Sequence, residues 1–167
     1  ISNFLFNDGA SAALVDFSED GTFPAILDFH RYNDPEGIDL LGYTYQGGRQ
    51  KVLLHKDVPK VVPPMVAQTV QELLARNHLR IRDIDHWCVH NGGPAILDQI
   101  AGLLGLDSDR DFRYSWKVLR ECGNLSSATV GIIAQRLHQD RANRHGYVVG
   151  AAMGAGAAVG ATLLRYG

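Results

Sequence analysis

The sequence predicts a layered α/β domain, and three observations carry that expectation. Short apolar segments alternate with segments whose apolar residues recur at helical spacing. The chain closes on two adjacent apolar stretches, and glycines gather between and around them, at Gly146, Gly150, Gly154, Gly156 and Gly160. Glycine at that density among Ala and Val permits tight turns and close backbone approach. No internal repeat, low-complexity linker or block of charge divides the 167 residues, so they form a single structural unit.

In order along the chain, Phe4-Leu5-Phe6 precedes a turn signal at Asn7-Asp8-Gly9, and Ala12–Phe17 is apolar enough for a buried strand. Asp20-Gly21 turns into a second strand over Phe23–His30, and a third covers Lys51–His55. Asp57 is placed to N-cap a helix that runs through Pro59 to Asn77. Its stripe is Val62, Met65, Val66, Thr69, Val70, Leu73 and Leu74, while Pro63 and Pro64 leave its first turn open. Ile84–His90 reads as a short strand, and Pro94 opens a helix through Leu104. Tyr114–Arg120 is helical and stopped by Gly123. Val130, Ile133, Ala134 and Leu137 mark one more helix, started near Asn124 or Ser126. The closing strands are Tyr147–Met153 and Ala158–Leu164, joined by a Gly154-Ala155-Gly156 turn.

Charge and composition exclude several classes. Sixteen Lys and Arg against eighteen Asp and Glu give a net charge of −2, which removes the electrostatic case for nucleic acid or an anionic membrane. No uninterrupted apolar run reaches the length of about 18 residues that a membrane span needs, and no signal peptide opens the chain. Two cysteines make no disulfide framework, so a reducing, cytoplasmic setting is expected. The first residue is Ile1 rather than Met, which fits a start partway through a gene product.

Local patterns nominate two groups. His90 ends an apolar strand and precedes Asn91-Gly92-Gly93-Pro94, where glycines would let a ligand pass close to the backbone and the helix start offers amides. The same segment also fits a satisfied strand-end histidine before a turn. Asn124, within Cys122-Gly123-Asn124-Leu125-Ser126-Ser127, fits a helix N-cap, the commoner role for Asn there, with an amide donor aimed at an oxyanion as the alternative. His86 and His90 are four apart on a strand with no third ligand near, and the other histidines are scattered, so no metal site is expected. Cys88 lies inside the apolar strand and reads as inert, and Cys122 lacks an evident base.

Taken together and in order, the motifs resemble the C-terminal half of the type III polyketide synthases, the chalcone-synthase-like condensing enzymes. They are Leu5-Phe6-Asn7-Asp8-Gly9-Ala10, Lys56-Asp57-Val58-Pro59, His90-Asn91-Gly92-Gly93-Pro94-Ala95-Ile96-Leu97-Asp98-Gln99, Gly123-Asn124-Leu125-Ser126-Ser127 and Gly154-Ala155-Gly156. The resemblance implies a thiolase-like layered α/β fold, built from two βαβαβαββ halves and usually homodimeric. Residues 1–17 would be the last strand of the N-terminal half and residues 18–167 the C-terminal half.

The resemblance also implies the chemistry: decarboxylative Claisen condensation of malonyl-CoA onto an acyl-CoA-derived thioester, by an acyltransferase with a Cys–His–Asn site. His90 and Asn124 match the His and Asn positions. The cysteine position falls before Ile1, so the chain alone would be inactive and would need the N-terminal half. Neither Cys88 nor Cys122 matches that position. Phe6 matches one of two phenylalanines that gate the passage to the cavity, and Val52 stands at the other. Ser126 matches a cavity-lining position, and Met153-Gly154 opens the glycine-rich cavity loop. Gly92, Gly93 and Ala95 match the turn along the pantetheine arm, and Asn91 replaces the usual proline after the histidine. No cofactor beyond coenzyme A thioester substrates is implied. Two other readings remain: an initiating 3-oxoacyl-acyl-carrier-protein synthase, and a non-catalytic thiolase-like binding or assembly module.

Overall fold

The computed structural model describes residues 5–17, 22–140, 142 and 144–167. Its elements are β1 (Ala25–Asn33), β2 (Leu41–Gln46), β3 (Arg49–Leu54), α1 (Val58–Arg76), β4 (His86–Val89), α2 (Pro94–Leu104), α3 (Ser108–Asp111), α4 (Arg113–Cys122), α5 (Ala128–Gln139), β5 (Tyr147–Gly154) and β6 (Ala158–Arg165). A four-stranded sheet has the order β1-β6-β5-β4, and β2 and β3 form a separate two-stranded sheet. β4 runs parallel to β5, whereas the β5–β6 and β1–β6 pairs are antiparallel.

Helices cover both faces of the main sheet, and the strand pleat shows how. Trp87, Val89, Val149 and Ala151 join the core under α1 and α2, while Cys88 and Val148 join the core under α4 and α5. Successive side chains therefore go to opposite faces, as a two-residue period requires. The α1 stripe lies in the first core: Val62, Val66, Val70 and Leu73 are fully buried. Leu97 and Ile100 of α2 join it, and Ile133 and Leu137 of α5 anchor the second core. His30 bonds to Glu72 at 2.8 Å and Arg76 to Asp28 at 3.0 Å, which ties β1 to α1.

The helices fall where their periodicity puts them, with small corrections. Pro63 and Pro64 do not interrupt α1, which runs unbroken from Val58. Each removes a backbone bond, but the buried stripe continues through the turns that follow and holds the helix in place. Asp57 occupies the N-cap position without making a side-chain cap bond, and its carboxylate pairs with Lys60 at 3.4 Å instead. α5 begins at Ala128 behind Ser127, so Asn124 and Ser126 both precede the cap.

Strands depart further from expectation. Residues 12–17 form no strand, and Leu14, Val15 and Phe17 are 92%, 71% and 109% exposed. A strand needs a neighbour to complete its ladder, and no described strand pairs with this segment. β1 starts at Ala25 and extends to Asn33, because β6 supplies partners from Arg165 opposite Ala25 to Ala158 opposite Asn33. The Asp20-Gly21 turn assigned before it lies outside the described residues. The strand expected at Lys51–His55 is the second arm of a hairpin whose first arm, β2, was not anticipated. The hairpin turns at Gly47 and Gly48, both at positive φ (60° and 72°), the conformation that a two-residue hairpin loop demands. The closing turn is Ala155-Gly156-Ala157 rather than Gly154–Gly156, with Gly154 still paired to Ala158. Where a third strand of a βαβαβαββ unit falls, between α4 and α5, the chain makes one isolated parallel bridge, Phe6 to Asn124.

Candidate active site

β4 delivers His90 at its C-terminal end. The His90 N–H donates to the Ala151 carbonyl at 2.8 Å, so the ladder with β5 extends one residue past the strand. The pleat then puts position 90 on the same face as Cys88, the face covered by α4 and α5. The imidazole is 7% exposed, and burial pushes its pKa down to about 4. It is neutral at physiological pH and has no hydrogen-bond partner among the described residues, so its ring N–H is available as a donor.

Asn124 lies on the same side of the sheet, in the link between α4 and α5. Gly123 ends α4 at φ 75°, ψ −160°, a conformation suited to glycine. Next, the Asn124 N–H donates to the Leu5 carbonyl and the Asn7 N–H donates to the Asn124 carbonyl, each at 2.9 Å. Asn124 Oδ1 accepts the Ser126 N–H at 2.8 Å, an Asx turn rather than a helix cap. That bond fixes the amide's orientation and leaves Nδ2 facing away from Ser126 as a donor. Ser126 itself is exposed and sits at φ 54°, an unfavourable conformation for a non-glycine residue. The two donors are both buried, at 7% and 3% exposure. Their neighbours touch: Asn91 Nδ2 donates to the Gly123 carbonyl at 3.2 Å.

The remaining nominated residues fall into two groups. Gly92 and Met153 meet, since a Cβ on Gly92 would lie 3.4 Å from the Met153 sulfur and 3.1 Å from Ile96 Cδ1. This brings the turn after His90 against the end of β5, with Gly154 beside it. Gly93, itself buried, adopts φ 146° before α2, and apart from its chain neighbours no atom lies within 4 Å of where its Cβ would be. The helix start offers fewer amides than expected. Pro94 has none, and those of Ile96 and Leu97 return to the Gly93 carbonyl, which leaves the N–H of exposed Ala95. Phe6 bridges to Asn124 and lines a shallow depression between Leu5–Asn7 and Leu119–Gly123. Val52 stands on the outlying hairpin at 39% exposure, and no hydrogen bond or ring contact among the described residues joins it to Phe6.

Cys88 is 2% exposed, and burial raises its thiol to about 12, which makes it a poor nucleophile. Cys122 is half-buried at the end of α4. Among the described residues no three His, Cys, Asp or Glu side chains form a cluster that would hold a metal, and no helix is long and apolar enough to cross a membrane. Ser115 was not anticipated: its buried hydroxyl donates to the Val89 carbonyl at 2.6 Å, just before His90. The Asn91 bond was also missed. Both span chain separations of 26 and 32 residues, for which local sequence carries no signal.

The profile of the family described as chalcone and stilbene synthases, C-terminal domain, matches residues 44–165. A 3,5-dihydroxyphenylacetyl-CoA synthase of Amycolatopsis orientalis is 35% identical over 171 residues, covering 99% of this chain and 46% of the relative. The 1,3,6,8-tetrahydroxynaphthalene synthase of Streptomyces coelicolor is 34% identical over 140 residues, covering 84% of this chain and 37% of the relative. The crystal structure of that bacterial type III polyketide synthase superposes with a TM-score of 0.79 at 28% identity, over 86% of this chain and 41% of the other. PKS-I from the brown alga Ectocarpus siliculosus shares the fold, with a TM-score of 0.79 at 24% identity over 87% of this chain and 40% of that one. The chain thus spans less than half the length of these relatives. With the thiolase-like layered fold, the matched profile and these relatives in agreement, the chain belongs to the chalcone and stilbene synthase C-terminal domain family, a part of the type III polyketide synthases.

Proposed function

We propose that this chain supplies His90 and Asn124 to a Cys–His–Asn site that condenses malonyl-CoA onto an acyl thioester, with the cysteine donated by an N-terminal half. The observation that carries the reading is the junction of the two donor loops: a buried imidazole and a buried carboxamide on one face of the sheet, joined through the Asn91–Gly123 bond.

The chemistry follows from what each group can donate. Loss of CO₂ from the malonyl thioester leaves the C–C bonding pair on the α-carbon, delocalised onto the thioester oxygen as an enolate. A neutral imidazole N–H and the Asn124 Nδ2–H₂ both hydrogen-bond that oxygen without transferring a proton, and buried, preoriented donors do so with little reorganisation. The carbanion then attacks the enzyme-bound acyl thioester. A C–C bond forms, the C–S bond breaks and the cysteine leaves as thiolate. The free N–H of exposed Ala95, and the room for a Cβ at Gly93, suit the passage of a pantetheine arm. Phe6 and Val52 would shape the entrance, and Ser126, Met153 and Gly154 the cavity wall. In this reading residues 1–17 belong to the N-terminal half, the assembled enzyme is a homodimer, coenzyme A thioesters are its substrates without a further cofactor, and the chain alone condenses nothing.

The test is malonyl-CoA decarboxylation by this chain combined with a cysteine-bearing N-terminal half. His90→Ala and Asn124→Ala are each expected to lower the rate by about 10²–10³-fold, the loss typical of one oxyanion donor. Wild-type rates in both variants would end the assignment. Preference for malonyl-acyl-carrier protein over malonyl-CoA would favour the initiating ketoacyl synthase instead.

A further inference from the structure

Asn91 is 0% exposed and sits between the two donor loops. Its Nδ2 donates to the Gly123 carbonyl at 3.2 Å, while its Oδ1 is buried with no partner. The orientation is fixed chemically, since the opposite flip would place two acceptors against one another. A buried amide satisfied on one side alone is expensive for stability, and an apolar residue of the same shape would fit the site better. Something other than stability therefore accounts for an amide here. The same joint has a second anchor, the Ser115 hydroxyl on the Val89 carbonyl at 2.6 Å. His90 is thus bracketed: the residue before it is tied to Ser115 in the first turn of α4, and the residue after it to the glycine that ends α4. Asn124 is the next residue along.

We propose that Asn91 is a positioning residue, holding the His90 and Asn124 donors at a fixed separation through its bond to Gly123. This rests on the assignment of those two donors given above. Asn91 touches no reacting atom. It acts by setting where the Gly123–Ser126 loop lies relative to the end of β4.

Two measurements test it. In the reconstituted enzyme, Asn91→Leu is expected to keep or raise the melting temperature, to lower kcat by up to about 10²-fold and to leave KM for malonyl-CoA within about twofold. That loss should disappear in an Asn124→Ala background, because a clamp has no value once the clamped donor is gone. A wild-type kcat in Asn91→Leu, or the same loss in both backgrounds, overturns the proposal. The second measurement needs no activity. In the 167-residue chain, Asn91→Ser should raise amide hydrogen exchange at Ser126 by about tenfold while α2 amides stay protected. Unchanged exchange at Ser126 overturns the clamp. If His90→Ala and Asn124→Ala retain activity, the donor assignment falls, and the exchange measurement still judges the Asn91 bond by itself.

Discussion

His90 carries an imidazole whose pKa burial lowers from an ordinary 6.5 to about 4. The unfolded chain binds a proton on this ring below pH 6.5, whereas the folded chain does not until near pH 4. Stability that is fully present above 6.5 is therefore lost as pH falls towards 4, by about 3 kcal/mol from this residue. Burial shifts His86 in the same direction, and the nearby His145 ring adds to the shift. Urea denaturation midpoints should drop between pH 6.5 and 4, and His90→Gln should flatten part of the slope. A slope unchanged in that variant would contradict the buried neutral imidazole. His90 and Asn124 could be nominated from the sequence because each sits in a motif, whereas the bond that joins their loops could not be read there. The Asn91 amide reads as an ordinary turn residue until the fold brings Gly123 to it. Likewise Asn124 looked like a helix cap until its Oδ1 proved to hold the Ser126 N–H.

At the scale of elements, the short 3₁₀ turn Pro35–Gly37 seats against the β5–β6 turn. A Cβ on Gly37 would lie 2.4 Å from the Ala157 Cβ. Gly37→Ala is accordingly expected to cost about 1–3 kcal/mol through overpacking. Ala157 sits at φ 48°, where glycine is at ease, so Ala157→Gly should rescue Gly37→Ala in a double-mutant cycle. Purely additive losses in thermal melts would show that the two turns do not share this contact. The helices were the readable elements, because the residues that bury α1, α2 and α5 all lie within the chain. Strand pairing is long-range, so β1 took its limits from β6, and residues 12–17 have no strand partner among the described residues. β2 escaped notice although Leu41, Tyr43 and Tyr45 alternate with Gly42, Thr44 and Gln46 at the period of a strand. The Gly47-Gly48 pair between runs of β-formers was the signal available for it.

Across the whole molecule, apolar surface gathers along one edge. β1 has a single neighbour in its sheet, and Asp28 and His30 bond to α1, which turns Leu27 and Phe29 towards the other face, at 48% and 71% exposure. Ile26 next to them is 54% exposed, and exposed apolar surface of this kind drives association. The chain alone should therefore show a mass in sedimentation that rises with concentration, and Leu27→Lys with Phe29→Lys should suppress the rise. A monomer at every concentration would show that the patch does not drive association. The β2–β3 hairpin stands apart from this edge. Its backbone meets the body where Gly156 donates to the Leu41 carbonyl at 2.7 Å, and its base is closed by the His55 N–H on the Leu40 carbonyl at 2.8 Å. Its glycine tip bears on neither donor loop. Descendants of this gene are consequently free to lengthen, shorten or restyle that tip, trying out new surfaces while the loops that carry His90 and Asn124 are left untouched.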